Sequence, residues 1–413
     1  MRVVVINTGT ELLLGDVLNS HLAFIAREIF PLGLRIERQT TVPDGEAIRT
    51  GIEEFLGAAD IIFITGGLGP TTDDITREVT AELLGLKLEH DPEILRAIQE
   101  RAARRGFRLT DRVARQADVP QGATVLPNEH GSAPGLYLPA NQTKMQPHLF
   151  LLPGPPRELH PMFRDFVLPI LHEMIAAKSA IDRRMFRIAG MGESLVEEAV
   201  GEQLLALPGL ELGYCARPGE MDLRLVGESS VLDEAERIVK DKLGPAIFST
   251  DGSDLESAVV KLLTERKQTL AVAESCTGGY LAHRITNVPG ASAIFLGGCV
   301  TYSNEAKVAM LGVDPALIEA EGAVSKKVVQ AMAEGARAHT KSDFALATTG
   351  IAGPSGGSKE KPVGTVFIAL AARDRPVSVQ KRFFPDDRPT FKELTTQAAL
   401  EMLRRRLLDP QKT

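Results

Sequence analysis

Cysteine is scarce in this 413-residue chain. Cys215, Cys276 and Cys299 are far apart and odd in number, which excludes a framework of paired disulfides and a C-x-x-C metal pattern. A reducing, cytoplasmic setting is the simplest expectation. Long apolar runs are missing as well. The apolar stretch Val3 to Ile6 is broken by Asn7 and Thr8, too short for a signal peptide, and no run approaches the roughly 20 apolar residues of a membrane span. The chain is expected to be soluble and unexported. An excess of positive charge is also lacking: the formal net charge is -7, which argues against a protein built to coat nucleic acid. Neither a tandem repeat nor a low-complexity tract is present.

What remains is a chain with 44% hydrophobic and 24% charged residues, the balance of a globular protein with real cores. Its length predicts two or three domains. Residues 1–172 alternate apolar strands (2–7, 34–42, 60–65, 148–152) with amphipathic helices (20–30, 46–56, and one starting near Asp73), as in a parallel sheet wrapped on both faces. Such doubly wound sheets bind ligands beyond the carboxyl ends of their strands. Residues 183–249 read as a small α+β module, with strands at 211–214 and 221–226 and helices at 195–205 and 232–242. Asp251-Gly252-Ser253 marks a junction, with Ser253 or Asp254 capping the next helix. From residue 254 to 413 the α/β alternation resumes: a helix to Arg266, strands at 269–273, 293–302 and 343–349, a hairpin over 363–371 and 377–384, and a last helix over 390–408.

The most informative segment is Ala273-Glu274-Ser275-Cys276-Thr277-Gly278-Gly279, where a strand hands over to a helix. Ser275 would stand on a tight turn beside unpaired backbone N–H groups suited to an oxyanion or phosphate. It could equally be a helix cap. Thr301-Tyr302-Ser303-Asn304-Glu305-Ala306-Lys307 brings a phenol and an amine to the same rim of the sheet. A desolvated lysine can activate a serine hydroxyl, although most lysines are simply solvated. A third loop, Thr348-Thr349-Gly350-Ile351-Ala352-Gly353-Pro354, offers backbone amides to an anion or forms a plain turn. In the first domain, Gly9-Thr10-Glu11 and Thr65-Gly66-Gly67-Leu68-Gly69-Pro70-Thr71-Thr72-Asp73-Asp74 follow strands. Glycines there suit a phosphate and carboxylates a hard cation such as magnesium. Alternatively, Thr72 or Asp73 caps the helix and Asp74 complements its dipole.

Taken together, AESCTGG, TYSNEAK, TTGIAGPSGG and the closing Phe384-Pro385-Asp386-Asp387-Arg388 resemble the C-terminal domain of the competence/damage-inducible CinA family, and the resemblance extends over essentially the whole chain. It implies a nicotinamide-nucleotide amidase that converts nicotinamide mononucleotide to nicotinate mononucleotide and ammonia without a cofactor. By motif, Ser275 would be the nucleophile, Lys307 the general base and Tyr302 an aid to proton movement. Cys276, Thr277, Gly278, Gly279, Thr349, Gly350 and Gly353 would line the site, with Arg388 on the substrate phosphate. Cys276 is a rival nucleophile on chemistry alone. The family more often has Gly-Asp-Arg where this chain has Asp386-Asp387-Arg388.

The N-terminal motifs, with Asn128-Glu129-His130-Gly131 and Leu152-Pro153-Gly154-Pro155-Pro156-Arg157-Glu158, resemble that family's molybdopterin-binding-like domain. The implied activity is hydrolysis of ADP-ribose to AMP and ribose 5-phosphate, with a divalent metal (magnesium or cobalt) and potassium. The expected site comprises Glu11, Asp44, Gly66, Gly67, Thr71, Asp74 and Glu158, with Asp74 and Glu158 on the metal. The other expectation is a non-catalytic nucleotide- or pterin-binding module. The middle module resembles the family's KH-like domain, but Gly190-Met191-Gly192-Glu193 is no GXXG clamp. Small nucleotides, rather than nucleic acid or membrane, are therefore the expected partners, and the resemblance implies a homodimer.

Overall fold

The computed structural model describes residues 1–106, 110–141, 146–175, 181–373 and 375–408. Contacts divide the chain into two compact units, residues 1–180 and 181–413.

The first unit holds strands β1 (Val3–Thr8), β2 (Ile36–Val42), β3 (Ile61–Thr65), β4 (Leu88–His90), β5 (Asp118–Pro120), β6 (Thr124–Leu126), β7 (Gly135–Leu138) and β8 (His148–Leu152). Six of them form one sheet in the order β2-β1-β3-β8-β7-β6, while β4 and β5 pair separately. The sheet is parallel only from β2 to β8; β7 and β6 add to its edge antiparallel. The reason is chain length: β7 reaches β8 through a connection too short for the crossover that parallel neighbours need. Alternate residues of the parallel strands serve two cores. Val3, Val5, Phe63 and Phe150 pack with Phe24, Ile25, Leu159 and Phe163 on one face. Val4, Ile6, Ile62 and Ile64 pack with Ile48, Ile52 and Val79 on the other. Because Asn7 is level with Thr65, and Thr65 with Leu152, the loops after β1, β3 and β8 leave the sheet at one rim.

The second unit begins with a four-stranded antiparallel sheet, β10-β11-β9-β12, formed by β9 (Ile181–Ala189), β10 (Glu211–Arg217), β11 (Glu220–Glu228) and β12 (Ile247–Ser249). Helices Glu193–Leu205 and Ser229–Leu243 supply Val196, Val200, Leu232 and Val239 to its core. The sequence reading missed β9 and β12. β9 begins with Ile181-Asp182-Arg183-Arg184, whose polarity hides a strand that tertiary pairing with β11 enforces.

The last portion carries a five-stranded sheet, β14-β13-β15-β16-β17, from β13 (Leu270–Glu274), β14 (Phe295–Val300), β15 (Phe344–Gly350), β16 (Thr365–Ala372) and β17 (Arg375–Phe383). The expected hairpin is β16–β17. Its strands sort large residues from small. Leu270, Val272, Leu346 and Ile368 face helices Leu255–Arg266 and Arg388–Leu408, whereas Ala271, Ala273, Ala345, Ala347 and Ala369 face helix Lys326–Thr340. The alanine face lets that helix approach closely, through Val328, Val329 and Met332. Asp254 caps the first of these helices, accepting from the Ser257 amide at 2.9 Å. Glu274 pairs with Val300 on one side and Thr348 on the other, so Ser275, Thr301 and Thr349 emerge together.

Candidate functional site

Ser275 is almost buried, and its amide donates to Thr348 O at 3.0 Å, which holds the turn against β15. Helix Asn304–Leu311, capped by Ser303 Oγ on the Ala306 amide, carries Lys307 into the protein with 1% of its surface exposed. Lys307 Nζ lies 3.2 Å from Ser275 Oγ, 2.9 Å from Thr301 O and 3.4 Å from Ser303 O. Burial lowers the lysine pKa, opposed by the electrostatic influence of Cys276 and Glu305. A buried amine whose surroundings favour the neutral form, in contact with a serine hydroxyl, has the arrangement of a base and its nucleophile.

The turn also resolves which backbone donors are free. The Ser275, Gly278 and Gly279 amides donate to Thr348 O, Ser275 O and Glu274 Oε2 respectively. The Cys276 and Thr277 amides have no acceptor among the described residues. Glu274, which the sequence reading did not single out, is fully buried and accepts from the amides of Gly279, Leu281 and Ala282 at 2.8–3.0 Å. It thereby anchors the start of helix Tyr280–Thr286, just after the Ser275 turn. The signal that could have found it is an acidic residue ending an apolar strand just ahead of a helix start. Gly278 and Gly279 have φ of +61° and +93°, a left-handed stretch that side chains disfavour. Burial pushes the Cys276 thiol up to about 12, so it holds little thiolate at neutral pH and is a poor rival to Ser275.

Other expected residues take different places. Tyr302 is 61% exposed, and its hydroxyl accepts from Arg388 Nη2 at 2.6 Å, while Arg388 Nη1 donates to Gly353 O at 2.9 Å. The phenol is thus tied to the guanidinium rather than to Ser275 or Lys307. Thr349 is buried and its hydroxyl donates to Ala323 O at 2.9 Å; Thr348 meets Thr277 hydroxyl to hydroxyl at 2.8 Å. Gly350 and Gly353 lie where a Cβ would press on Thr365 O and Val363. In Asp386-Asp387-Arg388 the departure from Gly-Asp-Arg falls on Asp386, while the shared Asp387 caps the last helix, its carboxylate accepting from Thr390 N and Oγ1 at 3.1 and 2.9 Å.

In the first unit, Glu11, Asp44, Gly66, Gly67, Thr71, Asp74 and Glu158 all line one cavity of about 500 Å³ at the carboxyl ends of the strands. Asp44 accepts from the Thr10 amide at 2.9 Å, which ties the loop after β2 to the loop after β1. The helix after β3 starts only at Thr76, with no side-chain cap, so neither Thr72 nor Asp73 caps it. Asp74 instead closes its own loop, accepting from the Thr71 amide at 2.9 Å and from the Thr71 hydroxyl. A Cβ on Gly66 would lie 2.5 Å from Thr8 Oγ1, so glycine lets the two loops touch. Glu158 is buried and accepts from Asn128 Nδ2 at 2.9 Å. Among the described residues no three His, Cys, Asp or Glu side chains gather as a ready metal cage. The donors present suit a magnesium-like ion that takes one or two carboxylates and completes its shell with water and phosphate oxygens. Among the described residues no helix is long and apolar enough to cross a membrane.

Comparison with known proteins gives this geometry a family. Residues 4–173 match the family described as probable molybdopterin binding domain, 183–249 the damage-inducible protein CinA KH domain, and 252–407 the CinA C-terminal domain. A CinA-like protein of Akkermansia muciniphila is 44% identical over 400 residues, covering 97% of this chain and 96% of its own. A putative competence-damage inducible protein of Moorella thermoacetica is also 44% identical, over 98% of this chain and 99% of its own. Among solved structures, the competence/damage inducible protein of Agrobacterium tumefaciens is 41% identical over 38% of this chain and 94% of that one, with a TM-score of 0.37. This chain belongs to the CinA family, with a molybdopterin-binding domain, a KH-like middle domain and an α/β CinA C-terminal domain.

Proposed function

We propose that the C-terminal domain deamidates nicotinamide mononucleotide to nicotinate mononucleotide and ammonia. The observation that carries this reading is the buried Lys307 amine 3.2 Å from Ser275 Oγ. Neutral Lys307 removes the Ser275 proton as Oγ attacks the carboxamide carbon. The free amides of Cys276 and Thr277 are the donors available to the resulting oxyanion. When the C–N bond breaks, the nitrogen leaves as ammonia with the proton returned from Lys307. Water then attacks the acyl-serine ester, with Lys307 taking its proton and returning it to Ser275 Oγ as the ester C–O bond breaks and the carboxylic product leaves. Arg388, which donates to Tyr302 and Gly353, would take the substrate phosphate, with Tyr302 as a support of that arginine. Replacing Ser275 with Ala should abolish ammonia release while the thermal unfolding profile stays as in the parent. Full activity in that variant would remove Ser275 from the reaction.

For the N-terminal domain we propose hydrolysis of ADP-ribose to AMP and ribose 5-phosphate, on the strength of seven expected residues lining one cavity. Asp74 and Glu158 would hold a divalent cation, which neutralises charge on the pyrophosphate when bound. Gly66, Gly67, Glu11 and Asp44 line the same cavity, in which the pyrophosphate would sit. A purely binding role for nucleotide or pterin is the competing outcome, in which this domain releases no AMP.

A further inference from the structure

Lys392 is half-buried on helix Arg388–Leu408, one turn after Arg388, so the two cations share a face of that helix. Arg388 reaches the Tyr302 and Gly353 loops. Lys392 reaches the nucleophile loop. Its Nζ lies 3.8 Å from the point where a Gly278 Cβ would be. The ammonium stands 5.8 Å from the centre of the Tyr280 ring, a contact that steadies it without neutralising it. No carboxylate or carbonyl accepts from Lys392 Nζ among the described residues. An unpaired ammonium beside a glycine that leaves space for it, on the same helix face as Arg388, is placed to meet an anion.

We infer that Lys392 is a second phosphate-binding residue of the amidase site, forming with Arg388 a two-cation clamp that selects phosphorylated amides over their unphosphorylated nucleosides. The inference rests on the amidase reading above and goes further by naming the group that sets its substrate class. Arg388 is fixed by two hydrogen bonds and offers a planar fork, whereas Lys392 supplies a point charge on a four-carbon stem. Neither takes part in bond making. Their effect lies in recognition.

The test compares nicotinamide mononucleotide with nicotinamide riboside, which lacks the phosphate, as substrates of the full chain and of its Lys392→Gln and Lys392→Arg variants. Loss of one charge-assisted contact should lower the mononucleotide-to-riboside ratio of kcat/KM about tenfold in Lys392→Gln, mainly through KM for the mononucleotide. Lys392→Arg, which keeps the charge, should recover most of that ratio. Inorganic phosphate should inhibit the parent competitively and the Gln variant about tenfold less well. An unchanged ratio together with unchanged phosphate inhibition would overturn the inference and leave Lys392 as a packing partner of Tyr280. If the parent released no ammonia from the mononucleotide, the amidase reading would fail by itself. Calorimetric binding of mononucleotide and riboside to parent and Gln variant would then still decide the clamp.

Discussion

Replacing Lys307 with Met keeps the length and much of the volume of a side chain that is 1% exposed, but removes its amine. Two effects on the fold oppose one another. Thr301 O loses a donor at 2.9 Å, and a buried acceptor left unpaired costs about 1–3 kcal/mol. Against this, burying an amine that is cationic in water is itself unfavourable, and Met removes that cost. Net stability should therefore change by about 2 kcal/mol or less, equivalent to a few degrees in Tm for a domain of this size. Activity behaves differently. Loss of a positioned general base should lower kcat by about 10² to 10⁴.

The pH dependence gives a sharper test of the same substitution. Burial lowers the Lys307 pKa below lysine's ordinary 10.5. Between the folded and unfolded values, the unfolded chain binds a proton that the folded chain has released, so stability rises with pH across that window. Below the folded value both states are protonated and the full cost of the buried charge applies; above 10.5 neither state is charged and the cost is gone. The kcat/KM of the parent should rise with pH through the same folded value as the base becomes neutral, then level off. Lys307→Met should lose both the rising rate limb and this component of the stability slope. Ammonia release and urea denaturation across pH measure the two. A variant that keeps more than about a tenth of the parent rate, or keeps the rising limb, would refute the assignment of Lys307 as base.

Glu274→Gln replaces one of two oxygens that accept from the Gly279, Leu281 and Ala282 amides with an amide donor facing an N–H. It should destabilise the second unit by about 2–4 kcal/mol, read by urea denaturation, and should lower ammonia release as the nucleophile turn loosens. Unchanged stability would mean that this carboxylate does not hold the helix start. In the first domain, Asp74→Ala should lower AMP release from ADP-ribose with divalent metal present by about tenfold or more, through loss of a ligand and of the Thr71 loop closure. An unchanged rate would dissociate Asp74 from the reaction.

Local chemistry made much of this legible in the chain. The alternation of apolar strands and helices marked the doubly wound first portion and the α/β last portion, because strands buried on both faces are near-continuously apolar. Glycine-bearing turns after strands marked the rims of the two sheets, and the motifs around Ser275, Tyr302 and Lys307 marked the segments that meet at one of them. Elements whose pattern depends on distant partners were harder to read. β9 owes its pairing to β11, and the antiparallel edge of the first sheet owes its direction to a short connection.

The sequence by itself determined which residue types stand at each strand end and that Ser275 and Lys307 belong to adjacent ones. Spacing along a chain cannot say which atoms meet, since that follows from register, burial and rotamer. Tertiary structure alone decided that Lys307 is buried against Ser275 Oγ, that Tyr302 belongs to Arg388, that the Thr349 hydroxyl is tied to Ala323, and that Cys276 is too buried to compete. The physical reason is common to all four. Burial and contacts within about 3 Å depend on neighbours in space, and residues tens of positions apart reach that proximity only when the fold brings their strand ends and loops together.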